Sequence, residues 1–210
     1  MPHYRRKRRL NPNFVLLCIA LALLTANIMV LLLGGEAPLP AEGVALPEYV
    51  ETDYLSINPY SRPGEPLEDI RGVVIHYVGN PGTTAQANRN YFASLADSQE
   101  TYASSHFVVG LEGEIIACVP LTEIAYASNE RNSDTIAIEV CHGDETGQFR
   151  EATYDAVVKL TAWLCQSFDL DPAKDVIRHY DVTGKICPKY YVEHEDAWET
   201  LKSDVAANMD

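Results

Sequence analysis

The stretch RHYDVTGKICPKYY (residues 178–191) places an imidazole, an ammonium and a thiol within nine positions: His179, Lys185 and Cys187. Neither a packed core nor a solvated loop calls for that combination. A second histidine, His76, closes the apolar run IRGVVIHYV (residues 70–78), where a strand would give way to a loop. Strand ends at one edge of a sheet are where sites are commonly built. A single histidine there is more often a structural residue, so its company decides the reading. A catalytic zinc site takes three protein ligands from the His, Cys and carboxylate set and keeps a fourth position open. Two imidazoles and a thiolate meet that requirement. The seven residues between His179 and Cys187 include Gly184, enough chain to fold back, and Pro188 stiffens the exit.

Metal-assisted hydrolysis also needs a proton carrier and a counter-charge for the oxyanion. Glu139 interrupts the apolar segment TIAIEVC, and a buried carboxylate is costly unless paired or used. It is the candidate base, with a half-exposed strand face as the alternative. Lys185, two residues before Cys187, is the candidate cation, with a solvent-facing loop lysine as the alternative.

The elements that must position these groups follow from periodicity. Residues 70–78, 133–141 and 175–180 read as buried strands, and HFVVGLEGEIIACVP (residues 106–120) as a hairpin turning near Glu112 and Gly113. Residues 83–95 read as a helix capped by a threonine. Residues 151–168 carry Val157, Leu160, Leu164 and Phe168 at helical spacing, and residues 198–209 form a terminal helix. Interleaved strands and helices imply an α/β fold, a central mixed β-sheet flanked by helices.

This domain, residues 67–210, has a different kind of segment in front of it. Residues 1–13 contain the basic run RRKRR, and residues 14–33 hold no charge over a length that spans a bilayer. The length favours an uncleaved transmembrane signal anchor over a cleaved signal peptide, whose apolar region runs about 7–15 residues. The basic flank puts the N-terminus in the cytoplasm and the domain outside the cell membrane, or secreted if cleavage occurs. Residues 34–66, rich in Pro, Gly and Glu, read as a linker, with an ordered arm near residues 54–60 as its end. Residues 34–210 carry 11 Lys or Arg against 30 acids, a net charge of −19. Such a surface repels phosphate backbones, so no nucleic acid partner is expected. Cys118, Cys141 and Cys165 each lie in apolar patterns and read as buried small residues rather than as a disulfide framework.

The segments GVVIHYVGNPGTTAQANRNYF, SSHFVVGLEGEIIACVP, DTIAIEVCHGDETGQF and RHYDVTGKICPKYY together resemble the zinc-dependent N-acetylmuramoyl-L-alanine amidases of the phage lysozyme and peptidoglycan recognition protein type. The similarity covers about residues 68–200, and its specificity lies in having all four in order. The resemblance implies a central mixed sheet with Zn2+ in an open cleft that binds peptidoglycan. By position, His76, His179 and Cys187 correspond to the metal ligands, Glu139 to the base and Lys185 to the assisting lysine. One departure concerns the tyrosine many members carry before the histidine of the central strand. Here Ser105 stands before His106, which shifts proton transfer onto Glu139. His106 and Asn80, in the segment 79–84 after His76, are candidate substrate-binding residues, with a core role the alternative for His106. Arg178 and Asp181 flank His179, and either is placed to orient it. Two other functions stand as alternatives: a peptidoglycan-binding module without catalysis, which the resemblance implies would lack the thiolate ligand, so that Cys187 weighs against it, and a zinc peptidase acting on the stem peptide, which shares the metal chemistry.

Overall fold

The computed structural model describes residues 39–209. Six strands form one sheet: β1 (Val50–Thr52), β2 (Val73–Tyr77), β3 (Phe107–Val109), β4 (Ile115–Ala117), β5 (Ile136–Val140) and β6 (Val176–Arg178). Their order is β1-β4-β3-β5-β2-β6. The β3–β4 hairpin is antiparallel and every other pairing is parallel, so the sheet is mixed, as expected. The middle strands VVIHY and IAIEV are dominated by β-branched residues and buried on both faces, the pattern of a parallel sheet covered by other elements.

Alternation along the strands sorts their side chains onto two faces. One face carries Val73, Ile75, Phe107, Val109, Ile136 and Ile138. It packs on helix α2 (Glu151–Phe168) through Val157, Leu160 and Leu164. The terminal helix α6 (Glu195–Ala207) adds Trp198, Leu201 and Val205 to the same core. The opposite face carries Val108, Ile116, Cys118 and Cys141 beneath α1 (Ala85–Ser98), which supplies Ala85 and Phe92. The expected threonine cap of α1 is Thr84, whose hydroxyl accepts from the Ala87 N–H at 3.2 Å. Because α1 packs over β3 and β4, its cover falls on that half of the face. His76 and Glu139 project from the β2–β5 half, where they are Cα partners in register.

Composition assigned residues 34–66 to a linker, and from residue 39 onward the structure corrects this. β1 pairs in parallel with β4, and Ala41, Val50 and Leu55 are buried. Arg62 then fastens the arm with a two-pronged ion pair to Glu123 (2.7 and 2.6 Å) and a bond to the Leu55 carbonyl at 2.6 Å. The segment offers no periodicity because its attachment is mainly backbone pairing, scattered buried residues and two arginines, Arg62 and Arg89, that bond its carbonyls. The expected membrane span at residues 14–33 lies outside the described residues. Among the described residues no helix is long and apolar enough to cross a membrane.

Candidate metal centre and cleft

Three elements deliver the three candidate ligands. His76 is the fourth residue of β2, fixed by its neighbours β5 and β6. The strand expected to run through residue 180 ends at Arg178, and His179 instead opens a short helix, α4 (His179–Thr183). Gly184 terminates α4 with φ of 77°, a left-handed conformation that suits glycine, and turns the chain back. Cys187 arrives on the return, its carbonyl accepting from the Tyr180 N–H at 2.9 Å. The Tyr77 backbone N–H points at its sulfur.

The result is a compact triad: one ligand atom from each of His76, His179 and Cys187 lies within 4.8 Å of the others. The imidazole centroids are 4.6 Å apart, and Cys187 Sγ is 3.9 Å from His76 Nδ1. The two Nε2 atoms are engaged elsewhere. His76 Nε2 meets Ser128 Oγ at 3.0 Å, and His179 Nε2 meets Asn129 Oδ1 at 2.9 Å. His179 Nδ1 is buried with no hydrogen-bond partner. Two imidazole nitrogens and a thiol gathered in a buried pocket, one of them orphaned, fit a zinc ion as their common partner. Tetrahedral zinc bonds hold such atoms about 3.3–3.8 Å apart, so the furthest pair needs to close by about 1 Å.

The electrostatics agree. Burial drives the His76 pKa well below its usual value, with further lowering from His179 and Lys185. His179 is lowered by the same causes in milder form, burial first and then Lys185. Burial, with Glu139 nearby, pushes the Cys187 thiol up to about 12. Protein alone therefore keeps two neutral imidazoles and a neutral thiol. A divalent cation bound among them reverses the preference of the thiol, since coordination stabilises the thiolate.

Glu139 stands beside His76 on the neighbouring strand, with Oε2 buried and unpartnered. Burial raises its pKa to about 8 against the lowering effect of Lys185. A carboxyl titrating near neutrality can both accept and return a proton. Lys185 is exposed just past Gly184, yet its charge is felt at His76, His179, Cys187 and Glu139. Its ammonium therefore stays exposed to water while its charge reaches the site.

Of the candidate substrate-binding residues, His106 is corrected. It is fully buried, its Nδ1 accepts from the Ala137 N–H at 3.0 Å, and its Nε2 donates to the Glu123 carbonyl at 2.9 Å. Both nitrogens are spent holding β3 to its surroundings, so nothing is left for a ligand. Ser105 is likewise buried, donating to the Phe107 carbonyl at 2.8 Å, and does not stand in for a cleft tyrosine. Asn80 is exposed beyond β2 and lines a hollow of about 370 Å³ with Val78, Thr83, Ala87, Asn88 and Tyr91. Arg178 and Asp181 act on the backbone rather than on a ring nitrogen. Their ion pair (2.8 Å) closes the start of α4, and Arg178 also reaches the Tyr191 carbonyl and Glu195. Residue types and spacing did not point to Ser128 or Asn129, which lie in a polar loop resembling any surface turn. The only trace of them in the sequence is a run of small polar side chains, ASNERNSD, before a buried strand.

Residues 66–190 match the family described as N-acetylmuramoyl-L-alanine amidase. N-acetylmuramoyl-L-alanine amidase BlyA of Bacillus subtilis (strain 168) is 32% identical over 176 residues, covering 74% of this chain and 46% of that protein. N-acetylmuramoyl-L-alanine amidase CwlL of Bacillus licheniformis is 30% identical over 170 residues, with the same coverages. The chain thus spans about half the length of the curated relatives it matches. Among solved structures, the catalytic domain of XlyA superposes with a TM-score of 0.62 at 24% identity, over 74% of this chain and 98% of that one. Staphylococcus aureus hydrolase AmiA, in complex with its ligand, gives 0.59 at 20% identity, over 80% and 86%. These likenesses show a shared fold.

Proposed function

The chain belongs to the N-acetylmuramoyl-L-alanine amidase family, and from that premise we propose that it is a zinc hydrolase that cleaves the amide between N-acetylmuramic acid and L-alanine in peptidoglycan. The observation that carries this reading is the convergence of His76, His179 and Cys187 beside the buried, unpartnered carboxylate oxygen of Glu139. Bound zinc supplies Lewis acidity and lowers the pKa of water toward ~7. The chain's own residues do the rest. His76, His179 and Cys187 hold the ion. Glu139 accepts the proton of the attacking water and returns it to the leaving nitrogen of L-alanine. Lys185 places positive charge where the carbonyl oxygen becomes anionic. Asn80 contributes to a wall of the cleft. With Ser105 turned into the core, Glu139 is the group within reach for proton transfer.

Residues 14–33, uncharged and preceded by five basic residues, support a membrane anchor that keeps the domain on the outer side, facing the wall. The net charge of residues 34–210 opposes any nucleic acid partner.

Digestion of purified peptidoglycan by the full chain, with and without a chelator, tests this. New L-alanine amino termini on intact stem peptides, lost on chelation, are expected. Cuts inside the stem would reassign the protein as a peptidase, and binding without cutting would make it a recognition module.

A further inference from the structure

A loop that carries no candidate metal ligand contacts both histidines. Ser128 and Asn129 are consecutive, yet each meets the Nε2 atom of a different imidazole, that of His76 on β2 and that of His179 at the start of α4. Ser128 and His76 are both fully buried, so water is no substitute for this contact. The loop is itself preset. Asn132 Oδ1 accepts from the N–H groups of Ala127 (3.0 Å) and Ser128 (2.6 Å), which locks the chain just ahead of the pair. Thr135 donates to the Arg131 carbonyl, and Arg131 pairs with Asp134, closing the turn Asn129–Ser133 from the other side. Asn129 sits at φ of 54°, a left-handed conformation that asparagine tolerates better than most residues.

The chemistry of the two acceptors differs in a useful way. With its carboxamide oxygen turned to the ring, as observed, Asn129 accepts from His179 Nε2–H, which leaves the Nδ1 lone pair bare. That is the nitrogen found buried without a partner. A serine hydroxyl can accept or donate, so Ser128 permits the same tautomer of His76 without compelling it.

We infer that Ser128 and Asn129 are positioning residues that hold both imidazoles as Nε2–H tautomers, with their Nδ1 atoms presented to Cys187, and so set the affinity of the centre for zinc. This rests on the zinc reading given above. Outer partners of this kind orient a ligand ring and raise its basicity, and their loss typically lowers metal affinity 10–100-fold.

The test measures zinc affinity of the full chain by competition with a chromophoric chelator, alongside the d–d spectrum of the cobalt-substituted protein. Ser128→Ala removes one acceptor. Asn129→Gly removes the other while keeping the left-handed backbone free of strain. Asn129→Asp retains an accepting oxygen and adds charge. The expected result is about a 10–100-fold loss of zinc affinity in Ser128→Ala and Asn129→Gly, with altered cobalt spectra, and wild-type or tighter affinity in Asn129→Asp. A structural role alone would not separate Asn129→Gly from Asn129→Asp. Affinity within two-fold of wild type in both removal variants, or an Asn129→Asp protein as weak as Asn129→Gly, would overturn the inference. Should Ser128→Ala not fold, the Asn129 pair decides. A wild-type chain that takes up no zinc would instead defeat the metal reading itself.

Discussion

Glu139→Gln should make the metal-free protein more stable and the enzyme inactive, and the first effect should grow with pH. The carboxyl is held to a pKa of about 8 by burial, against an ordinary value of 4.5. The folded state therefore keeps its proton where the unfolded chain has lost it. Stability from this group is fully present below pH ~4.5 and declines as pH rises, until ionisation in the folded state is complete above pH ~8. A gap of about 3.5 pH units corresponds to at most about 5 kcal/mol, at about 1.4 kcal/mol per unit. Glutamine has the same shape and never ionises, so the variant escapes that loss. Partial access of Glu139 to solvent reduces the expected gain to roughly 2–3 kcal/mol at pH 9, with almost none at pH 5. Urea unfolding of both chelator-treated proteins at pH 5, 7 and 9 reads the difference directly, since all other titrating groups are common to both. Hydrolysis of peptidoglycan should fall by about 10²–10⁴-fold, the usual contribution of a positioned acid–base group. A stability difference that stays flat between pH 5 and 9 would refute the buried-carboxyl reasoning. A variant retaining a tenth or more of wild-type turnover would remove Glu139 from catalysis.

Three further outcomes follow from the same geometry. Cys187→Ser replaces the thiolate ligand with a poor one and should abolish zinc retention on dialysis together with turnover, both read on one preparation. Arg62→Ala removes the two-pronged pair with Glu123 and frees the Leu55 carbonyl, so about 1–3 kcal/mol of stability should go. Hydrogen exchange of the Leu55 amide, which bonds to the Cys118 carbonyl, should accelerate with it. His106→Ala strands the Ala137 N–H and the Glu123 carbonyl and opens a cavity, costing roughly 3–5 kcal/mol. Turnover per folded molecule should be unchanged, and a specific fall in activity with intact stability would return His106 to the cleft.

Much of the site could be read from residue types because its chemistry is scarce. A thiol outside any apolar pattern, two histidines at expected strand ends and a glutamate inside TIAIEVC each have a structural use when taken singly, and it is their combination that points to a metal site. The helix at residues 151–168 was legible from its apolar spacing, and the β3–β4 hairpin from the glycine turn. The arm at residues 39–66 was not, since a three-residue strand held by backbone bonds, Arg62 and Arg89 leaves no periodic trace. His106 misled because its strand-end position and polarity look the same whether its nitrogens face a cleft or the protein's own backbone.

The amino-acid sequence by itself determined which atoms could bind a metal and roughly which strands would carry them, because donor chemistry and hydrophobic period are properties of residue type and order. Tertiary structure alone decided which nitrogen each histidine presents. That choice depends on Ser128 and Asn129, about 50 residues from each of their partners in the chain. It also decided that the Glu139 carboxyl is raised to about 8, because a carboxyl's pKa follows from the water and charge around it, and the burial that raises it exists only once β5 and its neighbours are assembled.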